Sequence, residues 1–396
     1  MDTKNKYQQF LLNLDNSKEL LDKNGNRDKY YDSFMSKRRI IQNKNPNPNE
    51  YHPCFTNVPQ PLKIIIPDEN KEKVSINACI NCIEDLIQLT KTYPLDDSKE
   101  YNINMKSLHN IVEPLTELNN MVGMKSVKET IVDQILYYIQ NLHKVQNISN
   151  DYMHTVIYGP PGTGKTEVAK IIGKIFAKMG ILGKDKFKKV SRSDLVAGYL
   201  GQTAIKTAEV ITSSLGGVLF IDEAYSLGNI DKKDTFSKEC IDTLCESLSD
   251  NKDNLMVIIA GYEHELNECF FNYNQGLKSR FTWRFKIDNY TSTELYQIFI
   301  KKVKESGWQI LETNNDVNKW FDKKMVYFKY FGRDIEILFS KIKIAHSRRV
   351  FCKPLEDKTI ITLEDLNKGF DLYLSNEEIK NRKIEEERKT SLHFYV

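Results

Sequence analysis

Residues Gly159-Pro160-Pro161-Gly162-Thr163-Gly164-Lys165-Thr166 form a P-loop pattern, and each residue type in it has a task. The glycines let the backbone curl until successive N–H groups face one anion, and a helix starting at the loop's end adds its positive pole. That geometry suits a polyphosphate. Lys165 is placed to reach the β- and γ-phosphates and the Thr166 hydroxyl to ligate Mg²⁺, with Glu167 beside them in the nucleotide-binding set. A second constellation lies 57 residues after Lys165, where the apolar run Val218–Ile221 ends in Asp222-Glu223. A buried strand ending there delivers Asp222 beside the loop to hold Mg²⁺ through its water shell. It also sets Glu223 to polarise the water that attacks the γ-phosphate. The two motifs together predict Mg²⁺-dependent binding of ATP and its hydrolysis to ADP and phosphate.

The elements that must position these residues are visible around them. From Leu115, β-rich runs at Thr155–Tyr158, Phe187–Ser191, Val218–Ile221, Leu255–Ala260 and Trp283–Ile287 alternate with helical patterns at Lys165–Met179, Ala204–Ser214 and Phe236–Ser249. Such alternation predicts an α/β fold, a parallel sheet covered by helices on both faces. After Asn289 the strands are expected to stop. Helical patterns at Thr293–Ser306, Asp316–Tyr330, Arg333–Arg349 and Leu363–Leu374 predict a small all-α domain. Beyond Asn376, Glu378/Arg382 and Glu385/Lys389 are spaced to support an exposed, charged helix. The expected division is therefore an N-terminal extension (1–112), an α/β domain (113–289), a helical domain (290–375) and a charged tail (376–396).

The extension is the least informative part. It is rich in Asn and Lys, with a turn-prone stretch at Asn43–Asn49, a basic cluster at Lys37–Arg39 and a short strand pattern at Ile64–Ile66. The cluster is expected to be a solvated face, and the extension partly mobile or partner-binding. Cys79 and Cys82 form a CxxC with His52 and Cys54 upstream, so a zinc site is arithmetically open. The competing pattern is Ile76, Cys79, Ile80, Ile83 and Ile87 at helical spacing, which makes Ile76–Leu89 an amphipathic helix with both thiols facing a core.

Composition bounds the rest. The chain has 396 residues, 40% apolar and 28% charged, with net charge +3, the profile of a globular protein of roughly two or three domains. Its longest apolar runs, Val218–Ile221 and Leu255–Ala260, fall far short of the ~20 residues that span a bilayer. The N-terminus MDTKNKYQQF has no apolar signal core, and the seven scattered cysteines suit a reducing compartment. A soluble intracellular, cytoplasmic protein is expected. Residues 1–110 hold 16 Lys plus Arg against 15 Asp plus Glu, so no basic arm for nucleic acid is present there.

The combination of Met121-Val122-Gly123, the P-loop, Arg192-Ser193-Asp194-Leu195, Tyr199-Leu200-Gly201-Gln202-Thr203, Phe220–Leu227, Ile259–Tyr262 and Gly276–Phe281 resembles the AAA+ ATPases. The resemblance is to the CbbX/SpoVK-like branch, which includes red-type Rubisco activases, and it spans about Leu115 to Leu374. It implies a P-loop sandwich followed by a helical lid, assembled as a ring, commonly a hexamer, with ATP between subunits. It further implies that Val122 and Gly123 line the adenine pocket. Arg280 becomes an arginine finger reaching the neighbour's γ-phosphate, with Lys278 and Arg284 as alternative candidates. Arg333 becomes the sensor-2 arginine on the lid, and Tyr199-Leu200-Gly201 the pore loop that grips extended polypeptide. One position departs from the wider pattern: Ala260-Gly261-Tyr262 stands where many members place Asn, Ser or Thr as sensor 1, which leaves that role open, with the Tyr262 hydroxyl or a water as candidates.

The leading expectation is an ATP-driven ring that remodels a protein client. The alternatives are a nucleotide-switched assembly scaffold with slow hydrolysis and, third, a nucleic-acid motor, against which the near-neutral charge argues. Rubisco is not carried over as the client, because the N-terminal extension lies outside the matched region and substrate choice commonly sits in such added parts.

Overall fold

The computed structural model describes residues 71–144, 151–199, 201–228, 234–311, 314–382 and 384. The expectations at His52, Cys54, Ile64–Ile66, Lys37–Arg39, Asn43–Asn49, Leu200 and Glu385/Lys389 lie outside them. The described chain begins with β1 (Glu72–Val74), α1 (Ile83–Thr92), β2 (Lys99–Tyr101), α2 (Met105–Asn110), α3 (Val112–Asn119) and α4 (Lys125–Ile139). β1 and β2 pair in parallel. The α/β layer follows as β3 (Thr155–Tyr158), α5 (Lys165–Lys178), β4 (Phe187–Val190), α6 (Arg192–Leu195), α7 (Thr203–Thr212), β5 (Val218–Ile221), α8 (Thr235–Asp250) and β6 (Met256–Gly261). A short helix, α9 (Glu263–Glu265), then α10 (Gly276–Arg280) and β7 (Trp283–Lys286) close it.

The sheet is parallel, in the order β4-β5-β6-β3-β7. β3 lies at its centre side, between β6 and β7, so the loop leaving β3 opens where neighbouring strand ends surround it. Side chains alternate across the sheet. Ile157, Phe220, Ile258 and Phe285 enter one apolar core, while Val156, Leu219, Ile221, Val257 and Ile259 enter the other. Burial on both faces explains why β3, β5 and β6 are continuous runs, whereas the edge strands β4 (FKKV) and β7 (WRFK) carry exposed charged residues. α5 covers the first face with Val168, Ile171, Ile172, Ile175 and Phe176, the period expected of a helix with one buried side.

Residues upstream of Leu115 share that first core. Ile83, Leu86, Leu108 and Ile111 are buried in the same cluster as Ile157 and Phe176. The helix expected at Ile76–Leu89 begins only at Ile83, because Cys82 caps it and Asp85 reaches back to the Cys82 backbone N–H at 3.1 Å. Cys79 is consequently exposed and Cys82 half-buried, so the two thiols do not both face the core. Among the described residues, no group of three or more His, Cys, Asp or Glu is gathered to hold a metal ion.

The helical part comprises α11 (Ser292–Glu305), α12 (Asn314–Lys324), α13 (Phe331–Arg349) and α14 (Leu363–Tyr373). Thr291 with Glu294, and Thr362 with Asp365, form capping boxes that fix the starts of α11 and α14. Strands do not stop at Asn289, however: β8 (Gln309–Ile310) and β9 (Ile360–Ile361) pair in parallel. Two-residue strands carry too little periodicity to be distinguished from loop in sequence. The tail also differs from an exposed helix. Helical turns run over 377–382, but the Arg382 side chain is buried against the lid. Among the described residues no helix is long and apolar enough to cross a membrane.

Candidate nucleotide-binding site

The loop after β3 is built from its glycines. Gly162 and Gly164 hold φ of +75° and +87°, a region that penalises side chains, and Gly164 caps α5. Gly159 N–H donates to the Gly261 carbonyl at 3.2 Å, tying the loop to the end of β6. Inside the loop, the Lys165 ammonium donates to the carbonyls of Gly159 at 2.8 Å and Pro160 at 2.7 Å. Burial lowers its pKa, and the charges of Asp222 and Glu223 partly oppose that. A half-buried ammonium held this way presents positive charge to an incoming phosphate without having to be ordered first.

β6 separates β3 from β5, which explains how the second motif reaches the first. Asp222 and Glu223 leave β5 and, with Pro161, Gly162, Gly164 and Lys165, line a cavity of roughly 200 Å³. Thr166, Glu167 and Arg333 complete that wall together with Tyr225 and Tyr262. Asp222 Oδ2 accepts from Lys189 Nζ at 2.6 Å, so the carboxylate already holds a cation. Glu223 is exposed, with φ +50°, a left-handed backbone conformation costly for a side chain. Tyr262, at the end of the intervening strand, stands between the motifs: Lys165 Nζ lies 5.8 Å from its ring centroid and the Tyr225 ring 5.9 Å away. Burial, then the nearby Glu223 charge, pushes the Tyr225 hydroxyl up to about 12.

A second cavity of roughly 720 Å³ adjoins the first and shares Gly162, Gly164, Glu167 and Arg333 with it. Val122 and Thr163 line it, with Tyr290 and Ile298 from beyond β7. Gly123 lies beside α11; an added Cβ there would meet Glu294 Oε1 at 2.6 Å. Gly159 and Pro160 face a different hollow beside Tyr262 and Ile287, and serve the site through their carbonyls on Lys165. The lid touches the loop directly: Gly332 N–H donates to the Gly162 carbonyl at 3.0 Å. Phe331, just before it, holds φ +41° with its ring edge-on to Tyr290 at 5.7 Å.

The remaining sequence candidates lie elsewhere. Arg280 lines neither cavity; it is half-buried, donating from Nε to Ser249 Oγ at 2.7 Å and from Nη1 to the Gly276 carbonyl at 2.7 Å. Lys278 and Arg284 are exposed, the latter over the Phe271 ring. Tyr199 is 74% exposed, and Gly201 holds φ +79° in open space. Four contributors escaped the sequence reading: Lys189, Tyr225, Tyr290 and Gly332. Tyr290 bonds the Thr163 carbonyl through its hydroxyl at 3.1 Å. Lys189 carried a faint signal, a lysine in the β4 register that pairs with Phe220 two residues before Asp222. The other three act through tertiary proximity, which spacing does not reveal.

A parallel sheet with a P-loop after β3, an acidic pair after β5 and a helical lid resting on the loop defines a P-loop ATPase. Residues 155–288 match the family described as ATPase family associated with various cellular activities (AAA). The chain is 39% identical over 322 residues to a cfxQ-like protein, R730, of Acanthamoeba polyphaga mimivirus, covering 80% of this chain and 77% of that one. It is 34% identical to the Protein CfxQ homolog of Galdieria sulphuraria (67% and 93% covered) and 38% identical to Stage V sporulation protein K of Bacillus subtilis (51% and 63%). The chain therefore belongs to the AAA ATPases, in the CfxQ-like and stage V sporulation protein K-like branch, and nucleotide binding and ATPase activity come with that membership.

Proposed function

We propose that this protein is a Mg²⁺-dependent ATPase that works as a ring, six-membered as is common in the family, and remodels a protein client. The observation that carries the nucleotide chemistry is the single small cavity shared by Lys165, Thr166, Asp222, Glu223 and Arg333. The hydroxyl and carboxylate oxygens of Thr166 and Asp222 are the hard donors Mg²⁺ takes, and Asp222 holding the Lys189 ammonium supports a cationic partner there. In this reading the magnesium neutralises charge on the β- and γ-phosphates. Lys165 and the loop N–H groups bind those phosphates, Glu223 orients and deprotonates the attacking water, and Arg333 senses the γ-phosphate from the lid. Val122, Gly123 and the larger cavity take the adenosine.

The ring reading gives Arg280 its role in trans. It lines neither of the two cavities at its own chain's P-loop, and reaching a neighbour requires release of its bonds to Ser249 and Gly276. Tyr199, exposed on a loop with the flexible Gly201, is proposed to grip the client. Arg192 supplies a mechanical link: it donates to the Ser226 carbonyl at 2.7 Å, three residues after Glu223, and pairs with Asp234 at 2.6 Å. Movement after Glu223 thus reaches the segment that leads to Tyr199.

Glu223→Gln should abolish turnover while retaining ATP, and with ATP it should sediment as a closed oligomer. Mixing Arg280→Ala with Lys165→Ala subunits should restore activity, since each variant leaves some seams intact. A monomer at all nucleotide conditions, or no complementation, refutes the ring. Retained client remodelling by Tyr199→Ala refutes the pore-loop role.

A further inference from the structure

Arg382, from the helical turns at 377–382, enters the root of the lid and is buried there with Asp334, their side chains 6% and 1% exposed. Its Nη1 donates to Asp334 Oδ2 at 2.8 Å and to the Tyr327 carbonyl at 2.7 Å. The Tyr373 hydroxyl lies 3.2 Å from the same nitrogen, and the guanidinium stacks 4.8 Å from the Tyr330 ring centroid. Asp334 in turn accepts from the Tyr330 backbone N–H at 2.7 Å. Tyr373 closes α14; the other partners belong to the turn that leads into α13 and carries Gly332 and Arg333.

That turn is the part of the lid that rests on the P-loop. A Cβ added to Gly162 would lie 2.0 Å from the Tyr330 carbonyl oxygen, so the two backbones are in direct contact. We propose that Arg382 is a positioning residue of the nucleotide site: the C-terminal helix inserts it into the lid root, where it holds the 327–334 turn on the P-loop and sets the affinity for the triphosphate. The hold is charge-assisted yet incomplete, because among the described residues Asp334 Oδ1 and Arg382 Nε find no hydrogen-bond partner. An ion pair made through one carboxylate oxygen and one guanidinium nitrogen is easier to withdraw than a bidentate fork. The C-terminal helix therefore has a physical route to the site without touching the nucleotide.

The proposal rests on reading Arg333 as the γ-phosphate sensor, and its test separates the two. Binding of a non-hydrolysable ATP analogue and of ADP is measured by calorimetry on the full chain and on Arg382→Met, Arg333→Ala and the double variant. Displacing the turn by a fraction of an ångström should weaken the ATP analogue about tenfold in Arg382→Met, with ADP changed less than about threefold. The double variant should lose no more than Arg333→Ala alone. Should Arg382→Met not fold, Asp334→Asn, which keeps an acceptor for the Tyr330 N–H, should give the same split between nucleotides. Equal weakening of both nucleotides, additive losses, or unchanged binding in a folded variant overturns the clamp. Unchanged discrimination in Arg333→Ala, with altered discrimination in Arg382→Met, removes the sensor reading and leaves the clamp standing.

Discussion

Gly332→Ala tests whether the lid acts on the P-loop through backbone contact. A methyl group at residue 332 would lie 2.8 Å from the Gly162 carbonyl oxygen. Relief to an ordinary contact needs a shift of about 0.5 Å, since attraction at carbon–oxygen distances gives way to steep repulsion below the usual separation. That shift stretches the 3.0 Å bond from Gly332 N–H to Gly162 beyond useful length. The bond satisfies one of the otherwise unpaired N–H groups at the start of α13, and losing it costs about 1 kcal/mol. Alanine returns about 0.4–1 kcal/mol by restricting the unfolded chain. Global stability is thus expected to stay within about 1 kcal/mol of the parent, a melting change of roughly 2–4 °C. The site is affected quite differently. Half an ångström between Arg333 and the loop should lower ATP turnover and ATP-analogue affinity about tenfold. Melting and calorimetric titration of the same preparation measure both. Unchanged affinity in a folded Gly332→Ala protein would refute lid–loop coupling through this contact.

Three further outcomes follow from contacts in the structure. Tyr290→Phe removes the hydroxyl bonded to the Thr163 carbonyl and should weaken nucleotide binding by about 0.5–1.5 kcal/mol, read by titration. Tyr262→Phe keeps the ring over Lys165 and should retain turnover, whereas Tyr262→Ala should lose a few-fold, about 0.5–1 kcal/mol of cation–π contact; equal losses in both would mean the hydroxyl is the working group. In the lid, burial alone would raise the Asp365 pKa, but bonds from Arg349, His346 and the Thr362 backbone outweigh it and bring the carboxyl from 3.8 down to about 2. A depressed carboxylate stabilises the fold above its unfolded pKa, so on the order of 2 kcal/mol should be lost as pH falls from about 4 through about 2. Fluorescence of Trp308, which lies edge-on to His346 at 4.9 Å, reports that transition, and Asp365→Asn should remove it.

The parts of this architecture that rest on local rules were legible in the sequence. The strand ending at Tyr158, the helix from Lys165 and the strand ending at Ile221 lie where apolar runs and glycines require them. Chain order does not contain sheet order. That β6 lies between β3 and β5, placing Tyr262 between the two motifs, follows from pairing over a hundred residues apart. The Cys79/Cys82 helix failed for a different reason. Helical spacing from Ile76 was real, but the cap made by Cys82 and Asp85 won locally and pushed Cys79 into solvent. Arg382 misled because charges at i and i+4 suit an exposed helix equally well. Its actual partner, Asp334, is 48 residues away, and the Glu378 oxygen is 3.9 Å off.

The lid contact also bears on the proposed coupling of ATP hydrolysis to movement. Gly162 meets the lid through its own carbonyl, not through a side chain, so the contact has no rotamer with which to absorb a displacement. Phosphate bound in the loop draws on the N–H groups of the peptide units that carry these carbonyls. Under the proposed function, a reorientation of those units on hydrolysis would be passed to Gly332 as a change of position. Phe331, at φ +41° and held by Tyr290, sits where such a change must be accommodated. A strained residue persists only while its surroundings over-determine it. The Tyr290 hydroxyl on Thr163 and the Arg382 clamp on Tyr330 are two contacts that do so here, one from the loop side and one from the lid. Loosening either should free the lid to turn without loss of the P-loop itself, which under the proposed function makes the lid root, rather than the phosphate cradle, the place to test for coupling between nucleotide state and movement.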